Sequence, residues 1–272
     1  MIMEQKKLKY PADWISRKKE GTPLSVITAY DATMAKLAAL SSVDALLVGD
    51  SLGMAVQGNR STLPVTMDEM IYHTKLVRRG APDSFIIGDL PSGSYQTSEE
   101  TGLRNAFRFM KEAGANAVKA EGSDVNTLRI IERLVKSGVP VMGHIGLLPQ
   151  SYLNLGGYKI QGRSELDSKR LLEAARELES AGVFSMVLEY IVTDVAKEIT
   201  DTISVPTIGI GSGIHTSGQV LVWNDALGMD PDFKGKHARR FADLDKTIIE
   251  ALNRFNSEVK SRIFPGKENS FN

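Results

Sequence analysis

The chain has no cysteine among its 272 residues, which removes disulfides, thiolate metal centres and a cysteine nucleophile from consideration. That fits a cytoplasmic protein without requiring one. An excess of one charge is also missing. Lys plus Arg equals Asp plus Glu at 33 each, so no overall field favours nucleic acid or an anionic membrane. The first residues, MIMEQKKLKYP, lack the apolar core of a signal peptide, and no apolar run approaches the length of a membrane-spanning helix. No short-period repeat is visible, which argues against a solenoid. The expectation is a soluble, cytoplasmic protein with a single large core, since 42% of its residues are hydrophobic.

What is present is a recurring unit: an apolar run that ends in a charged or polar group and is followed by a helical pattern. Ala45 to Val48 reads as a strand buried on both faces, with Gly49 turning the chain and Asp50 and Ser51 just beyond. Strands are likewise expected at 25–30, 84–90, 117–121, 139–143, 184–189 and 206–210, with residues 220–223 an eighth strand or a helix. Thr66 with Glu69, and Thr97 with Glu100, stand at capping-box spacing. The second helix then presents Leu103, Ala106, Phe107 and Met110 on one face, and an amphipathic helix is expected over 239–258 through Phe241, Leu244, Ile248 and Leu252. Residues 52–64 and 146–163 read as long loops, residues 1–11 as loosely ordered, and the tail from Pro265 as frayed. Such a series of strand-then-helix units favours a single (β/α)8 (TIM) barrel over residues 1–272, with its core at about 25–258. A short N-terminal helix and a C-terminal helical extension flank it; a doubly wound open sheet is the competing architecture.

A barrel of this type carries its site at the carboxyl ends of the strands. The groups delivered there are Asp50, Ser51, Asp89, Lys119, Glu121, His144 and Glu189. Asp50, Asp89 and Glu121 form an all-oxygen set suited to a hard cation such as magnesium; helix caps or salt-bridge partners are the plainer explanation of each one alone. Lys119 and Glu121 lie two apart and share a face, which suits a site or a structural ion pair. His144 is a core histidine or a functional one. Glu189 reads as an isolated carboxylate in an apolar setting, the environment of a working base, or as a loop-start acid. Gly209, Gly211 and Gly213 give GxGxG, a tight turn rather than a dinucleotide fingerprint. His73, His215 and His237 have no partner pattern and read as surface or structural, and Met54, Met67, Met70 and Met110 as packing residues.

These motifs carry a resemblance. TAYDATMAKLA at 28–38, VGDSLGM at 48–54, TLPVTMDEMIYHTKLVRRG at 62–80 and GDLPSGSY at 88–95 are joined by AVKAEG at 117–122, VMGHIGLLPQS at 141–151, LE at 188–189 and PTIGIGSG at 206–213. Together they resemble the ketopantoate hydroxymethyltransferase (3-methyl-2-oxobutanoate hydroxymethyltransferase) family. The resemblance implies transfer of a hydroxymethyl group from methylene-tetrahydrofolate to 3-methyl-2-oxobutanoate, giving ketopantoate in pantothenate biosynthesis. It implies one magnesium ion per subunit on Asp50 and Asp89, with Glu121 completing the site directly or through water, and substrate contacts from Asp50, Ser51, Asp89 and Lys119. Glu189 would be the proton acceptor and His144 a substrate-side hydrogen-bond partner. It also implies a large homo-oligomer built of rings, a decamer. Ser92, Ser123 and Tyr190 depart from the commonest family pattern, which touches pocket shape more than reaction type.

Two other readings compete. One is a magnesium-dependent carbon–carbon lyase or mutase of the isocitrate-lyase type, although such lyases typically use a loop cysteine that is missing here. The other is a catalytically inactive barrel retained as a binding protein, which the intact acidic set argues against.

Overall fold

The computed structural model describes residues 7–154, 156–233 and 235–271. The element order is α1 (Pro11–Lys19), β1 (Leu24–Thr28), α2 (Ala32–Ala39), β2 (Ala45–Val48), α3 (Leu52–Ala55), α4 (Met67–Gly80), β3 (Phe85–Asp89) and α5 (Glu99–Lys111). It continues through β4 (Ala117–Lys119), α6 (Val125–Lys136), β5 (Val141–Gly146), α7 (Glu165–Ser180), β6 (Ser185–Glu189), α8 (Thr193–Thr202), β7 (Thr207–Ile210) and β8 (Gly218–Leu221). Two helices follow, α9 (Trp223–Leu227) and α10 (Leu244–Lys260). All neighbouring strands pair in parallel, and β8 returns to β1 at Leu24↔Gly218, so the sheet closes. The expected TIM barrel is the fold. Among the described residues, no helix is long and apolar enough to cross a membrane.

Local chemistry accounts for most of the elements. The Thr66–Glu69 capping box opens α4 as expected, with Glu69 accepting from the Thr66 amide at 2.7 Å. The start of α5 differs: Ser98, not Thr97, caps it by accepting from the Thr101 amide. Its buried face is also rotated from the expected one. Gly102, Ala106 and Phe109 point inward and Phe107 is exposed, because Phe109 lies over Gly88 of β3. A Cβ at Gly88 would stand 2.3 Å from the Phe109 ring, so only glycine lets this helix approach. Residues 52–64 are not all loop, since α3 occupies their start. His144 lies inside β5 rather than after it.

The amino end of the barrel is plugged from outside the sheet. Helix α1 begins at Pro11, and Leu8 before it is already buried. Of the stretch read as loosely ordered, residues 1–6 lie outside the described residues. Trp14 is fully buried and meets the rings of Phe85 and Phe184, each with centroids 5.4 Å away. The neighbouring Lys18 donates to the carbonyls of Thr200, Ile203 and Val205 at 2.7–2.9 Å, holding the end of α8 and the turn into β7.

The chain divides into two compact units, one up to Val222 that contains the barrel and one from Trp223. Within the second, Arg240 joins Asp245 at 3.0 Å and donates to the Asp230 carbonyl at 2.6 Å. Helix α10 begins at Leu244 rather than 239, so Phe241 of the expected apolar stripe lies outside it, and Ile248, Leu252 and Phe255 on the helix are exposed. The tail read as frayed holds a single 3-10 turn, Lys267–Asn269, and Asn272 lies outside the described residues.

Because the Trp14 ring is fully buried against Phe85 and Phe184, Trp14→Ala should lower unfolding stability by about 3–5 kcal/mol. Urea denaturation measures this, and a loss below about 1 kcal/mol would show that the plug is dispensable.

Candidate active site

Closure of the barrel brings six side chains from five strand ends into one line. Strand β2 ends at Val48, level with Gly88, which leaves Asp50 beside Asp89; the Asp50 amide lies 3.3 Å from an Asp89 carboxylate oxygen. Asp89 pairs in register with Lys119 on β4, whose Nζ reaches Asp89 at 2.6 Å and Glu121 at 3.1 Å. His144 continues the line with Nδ1 3.3 Å from Glu121 and Nε2 3.3 Å from Glu189, ion-pair distances without hydrogen-bond alignment at either nitrogen. Asp50, Asp89, Lys119, Glu121 and His144 are all buried. Ser51, next to Asp50, shares a 2.8 Å hydrogen bond with the Tyr30 hydroxyl.

The electrostatics of this line are strained by burial. Carboxylate oxygens of Asp50, Asp89 and Glu121 lie within 4.8 Å of one another. Burial, then the charges of Asp89 and Glu121, push the Asp50 carboxyl well above its ordinary range. Asp89 is raised as well, chiefly by burial and against the pull of Lys119. Burial acts on Glu121 in the same sense, but Lys119 and then His144 outweigh it and hold Glu121 down at about 2. Burial also opposes the charge on Lys119 and His144. Asp89 and Glu121 nevertheless hold Lys119 up, and Glu121 carries His144 to about 9. Three carboxylates therefore face a single ammonium, and Asp50 is left without a cation of its own. This donor set fits a hard divalent cation, which takes oxygen ligands and would remove the repulsion.

Glu189 differs from its expected setting. It is not isolated among apolar groups, since His144 stands beside it and its side chain is 16% exposed. Its backbone is held tightly. Tyr190 adopts φ 52°, a left-handed conformation that costs a non-glycine residue roughly 1 kcal/mol. Its amide donates to Ile210, and Ser212 Oγ donates to the Leu188 carbonyl while accepting from the Ile191 amide. Gly146 fits under this segment only without a side chain, because a Cβ there would stand 2.2 Å from the Glu189 carbonyl oxygen.

Several residues of the site escaped sequence reasoning. Gln150 is buried, and its side-chain amide donates to Asp50 at 3.0 Å and to the Leu90 carbonyl at 2.9 Å. Its backbone amide donates to Glu121 at 3.2 Å. The Tyr95 hydroxyl donates to the Glu121 carbonyl at 2.9 Å and accepts from the Glu121 amide at 3.0 Å. The available signal was position: Gln150 and Tyr95 stand a few residues past strands that deliver site groups. The glycines of GxGxG make the tight turn expected of them, Gly211 and Gly213 having positive φ. His73 has a structural contact, 2.6 Å from the Tyr30 carbonyl.

With this geometry in view, the family model described as ketopantoate hydroxymethyltransferase matches residues 10–267. A 3-methyl-2-oxobutanoate hydroxymethyltransferase of Thermotoga maritima is 50% identical over 257 residues, covering 94% of each chain. One from Leptospira biflexa serovar Patoc is 48% identical over 270 residues, covering 99% of this chain and 98% of its own. Among solved structures, a 2,3-dimethylmalate lyase of the PEP mutase/isocitrate lyase superfamily superposes with TM-score 0.61 at 16% identity, covering 97% of this chain and 93% of its own. At that identity the likeness speaks for the barrel alone.

The raised Asp50 carboxyl has a consequence for stability. Between its ordinary value, about 4, and its raised one, the folded state binds more protons than the unfolded state. Stability contributed at this site therefore falls as pH rises through that window. In chelator, the melting temperature of the wild type should drop relative to Asp50→Asn as pH rises above about 4. A gap that stays constant with pH would remove Asp50 as the source.

Proposed function

The chain belongs to the ketopantoate hydroxymethyltransferase family and is a hydroxymethyltransferase; from that premise we propose that this site makes ketopantoate from 3-methyl-2-oxobutanoate and methylene-tetrahydrofolate, a step of pantothenate biosynthesis. The observation that carries the reading is the line of side chains itself: a cation-deficient carboxylate cluster at one end and a partly exposed carboxylate, Glu189, at the other. Asp50, Asp89 and Glu121 would hold magnesium, which when bound polarises a keto oxygen and favours loss of the neighbouring proton.

The remaining work falls to the chain's own groups. Lys119 supplies positive charge toward the substrate carboxylate, and Ser51, steadied by Tyr30, offers a hydroxyl at the same strand end. Glu189 takes the proton from C3 of the keto acid. His144, between Glu121 and Glu189, orients that base and is placed to bond substrate oxygen. The balance of the reaction requires one water. Both carbon–nitrogen bonds of the methylene bridge break, while one carbon–carbon and one carbon–oxygen bond form. The C3 proton and the two of water end on two folate nitrogens and the new hydroxyl.

The same reading makes the protein a cytoplasmic homo-oligomer, a decamer as in the family. The exposed Ile248, Leu252 and Phe255 support association with further subunits.

Proton NMR of 3-methyl-2-oxobutanoate in heavy water tests the first half of the chemistry. The C3 proton signal should vanish with protein and magnesium and persist when chelator is added. Glu189→Gln should slow exchange at least about 100-fold while keeping the magnesium-induced rise in melting temperature. Exchange at the wild-type rate would remove Glu189 from the base role. No exchange by the wild type, even with tetrahydrofolate present, would overturn the proposed reaction.

A further inference from the structure

The segment after β5 carries two tyrosines that the proton chemistry leaves unused. Tyr152 and Tyr158 stack with ring centroids 5.8 Å apart and planes 12° from parallel. Gly156 and Gly157, both at positive φ, fold the chain back between them, and the Gly157 amide closes the turn on the Tyr152 carbonyl. Tyr152 thus covers one side of Tyr158, which still leaves 48% of its surface exposed.

Tyr158 is tied to the site. Its hydroxyl reaches the Met54 sulfur at 3.7 Å, and Met54 lies in α3, directly after Asp50 and Ser51. Burial, then the charge of Glu189, raises the Tyr158 phenol above its ordinary value, with Tyr152, Asp50 and Glu121 adding to it. The ring therefore lies within electrostatic reach of the proposed base and the acidic cluster while remaining open to solvent. Met54, Leu153 and Ile160 are exposed as well, all on segments that follow β2 or β5 at the carboxyl end of the barrel. An aromatic pair with apolar neighbours is a poor complement to a small keto acid, which has no ring to stack. It is a good complement to a planar heteroaromatic ligand.

We propose that Tyr158, backed by Tyr152, is the stacking platform for the pterin ring of the one-carbon donor, with Met54 closing one edge. This rests on the hydroxymethyl-transfer reading above. It explains how a bulky second substrate is aligned at the mouth while the keto acid is held below by the charged line. The donor's reactive carbon bridges a nitrogen of the pterin ring and the neighbouring side-chain nitrogen, so a ring seated here holds that carbon on the side of the site where the charge of Glu189 acts.

Calorimetric titration of tetrahydrofolate into the full-length protein tests it, with 6-methyltetrahydropterin and p-aminobenzoylglutamate as fragments. Tyr158→Phe keeps the ring and should bind tetrahydrofolate within about twofold of the wild type. Tyr158→Leu and Tyr158→Ala should each lose about tenfold or more. The pterin fragment should lose affinity by the same factor, and the midpoint of keto-acid exchange should move far less. Equal tetrahydrofolate affinity in all four proteins would overturn the platform, and so would a loss confined to the benzoylglutamate fragment. A parallel collapse of keto-acid exchange would overturn it too, since Tyr158 would then be supporting the whole site. A wild type that exchanges the C3 proton but ignores Tyr158 in binding refutes this subsite alone. One that neither exchanges nor binds tetrahydrofolate refutes the proposed reaction with it.

Discussion

Lys119 is the one ammonium placed among three buried carboxylates, and the site's architecture follows from that shortage. A buried carboxylate is costly unless paired, and the ammonium contacts Asp89 and Glu121 but not Asp50. Glu121 is further compensated by His144, which in turn extends the chain of charges to Glu189. What is left over is a local deficit of positive charge beside Asp50. Such a pocket is unfavourable for the empty protein and favourable for any hard dication. The three acids cost the empty protein stability that a bound dication would return.

The barrel can hold this unfavourable cluster because its other end is so well packed. Trp14, Phe85 and Phe184 close the amino end with no charged group among them, and the apolar core runs upward through Val26, Leu47, Ile87 and Met142. Glycines appear where backbone or rings must come close, as at Gly88 beneath Phe109 and Gly146 beneath the Glu189 carbonyl. Those contacts set the position of β3 and β6, and hence of Asp89 and Glu189. A substitution at either glycine would move a site residue without touching the site.

Much of this was legible in the sequence, for a definable reason. Asp50, Asp89, Lys119 and Glu189 each terminate an apolar run, so the strand pattern and the parallel-barrel rule together place them on one rim. Gln150, Tyr95 and Tyr30 were not legible in the same way. They reach the site from loops or a neighbouring strand end, and their approach depends on how the closed sheet curves. The rotated face of α5 has a similar cause. Phe107 and Phe109 are equally apolar, and the hollow above Gly88 on another element decides between them. Glu189 was placed correctly but its surroundings were not, because His144 comes from β5 and only strand pairing brings it alongside.

Gln150 links residues that are far apart along the chain. Its side-chain bond to Asp50 spans 100 residues, and the same residue also holds Glu121 and the Leu90 carbonyl. No fragment of the barrel that lacks either half can form this junction. A partly folded chain, with β2 to β4 assembled but β5 undocked, has the three acids without the amide groups that orient them. Any ion held by the three acids would then be captured at the last stage of folding rather than the first. A cation bound there would act as a proofreader of assembly, held only by chains whose sheet has closed and leaving misassembled ones at a disadvantage.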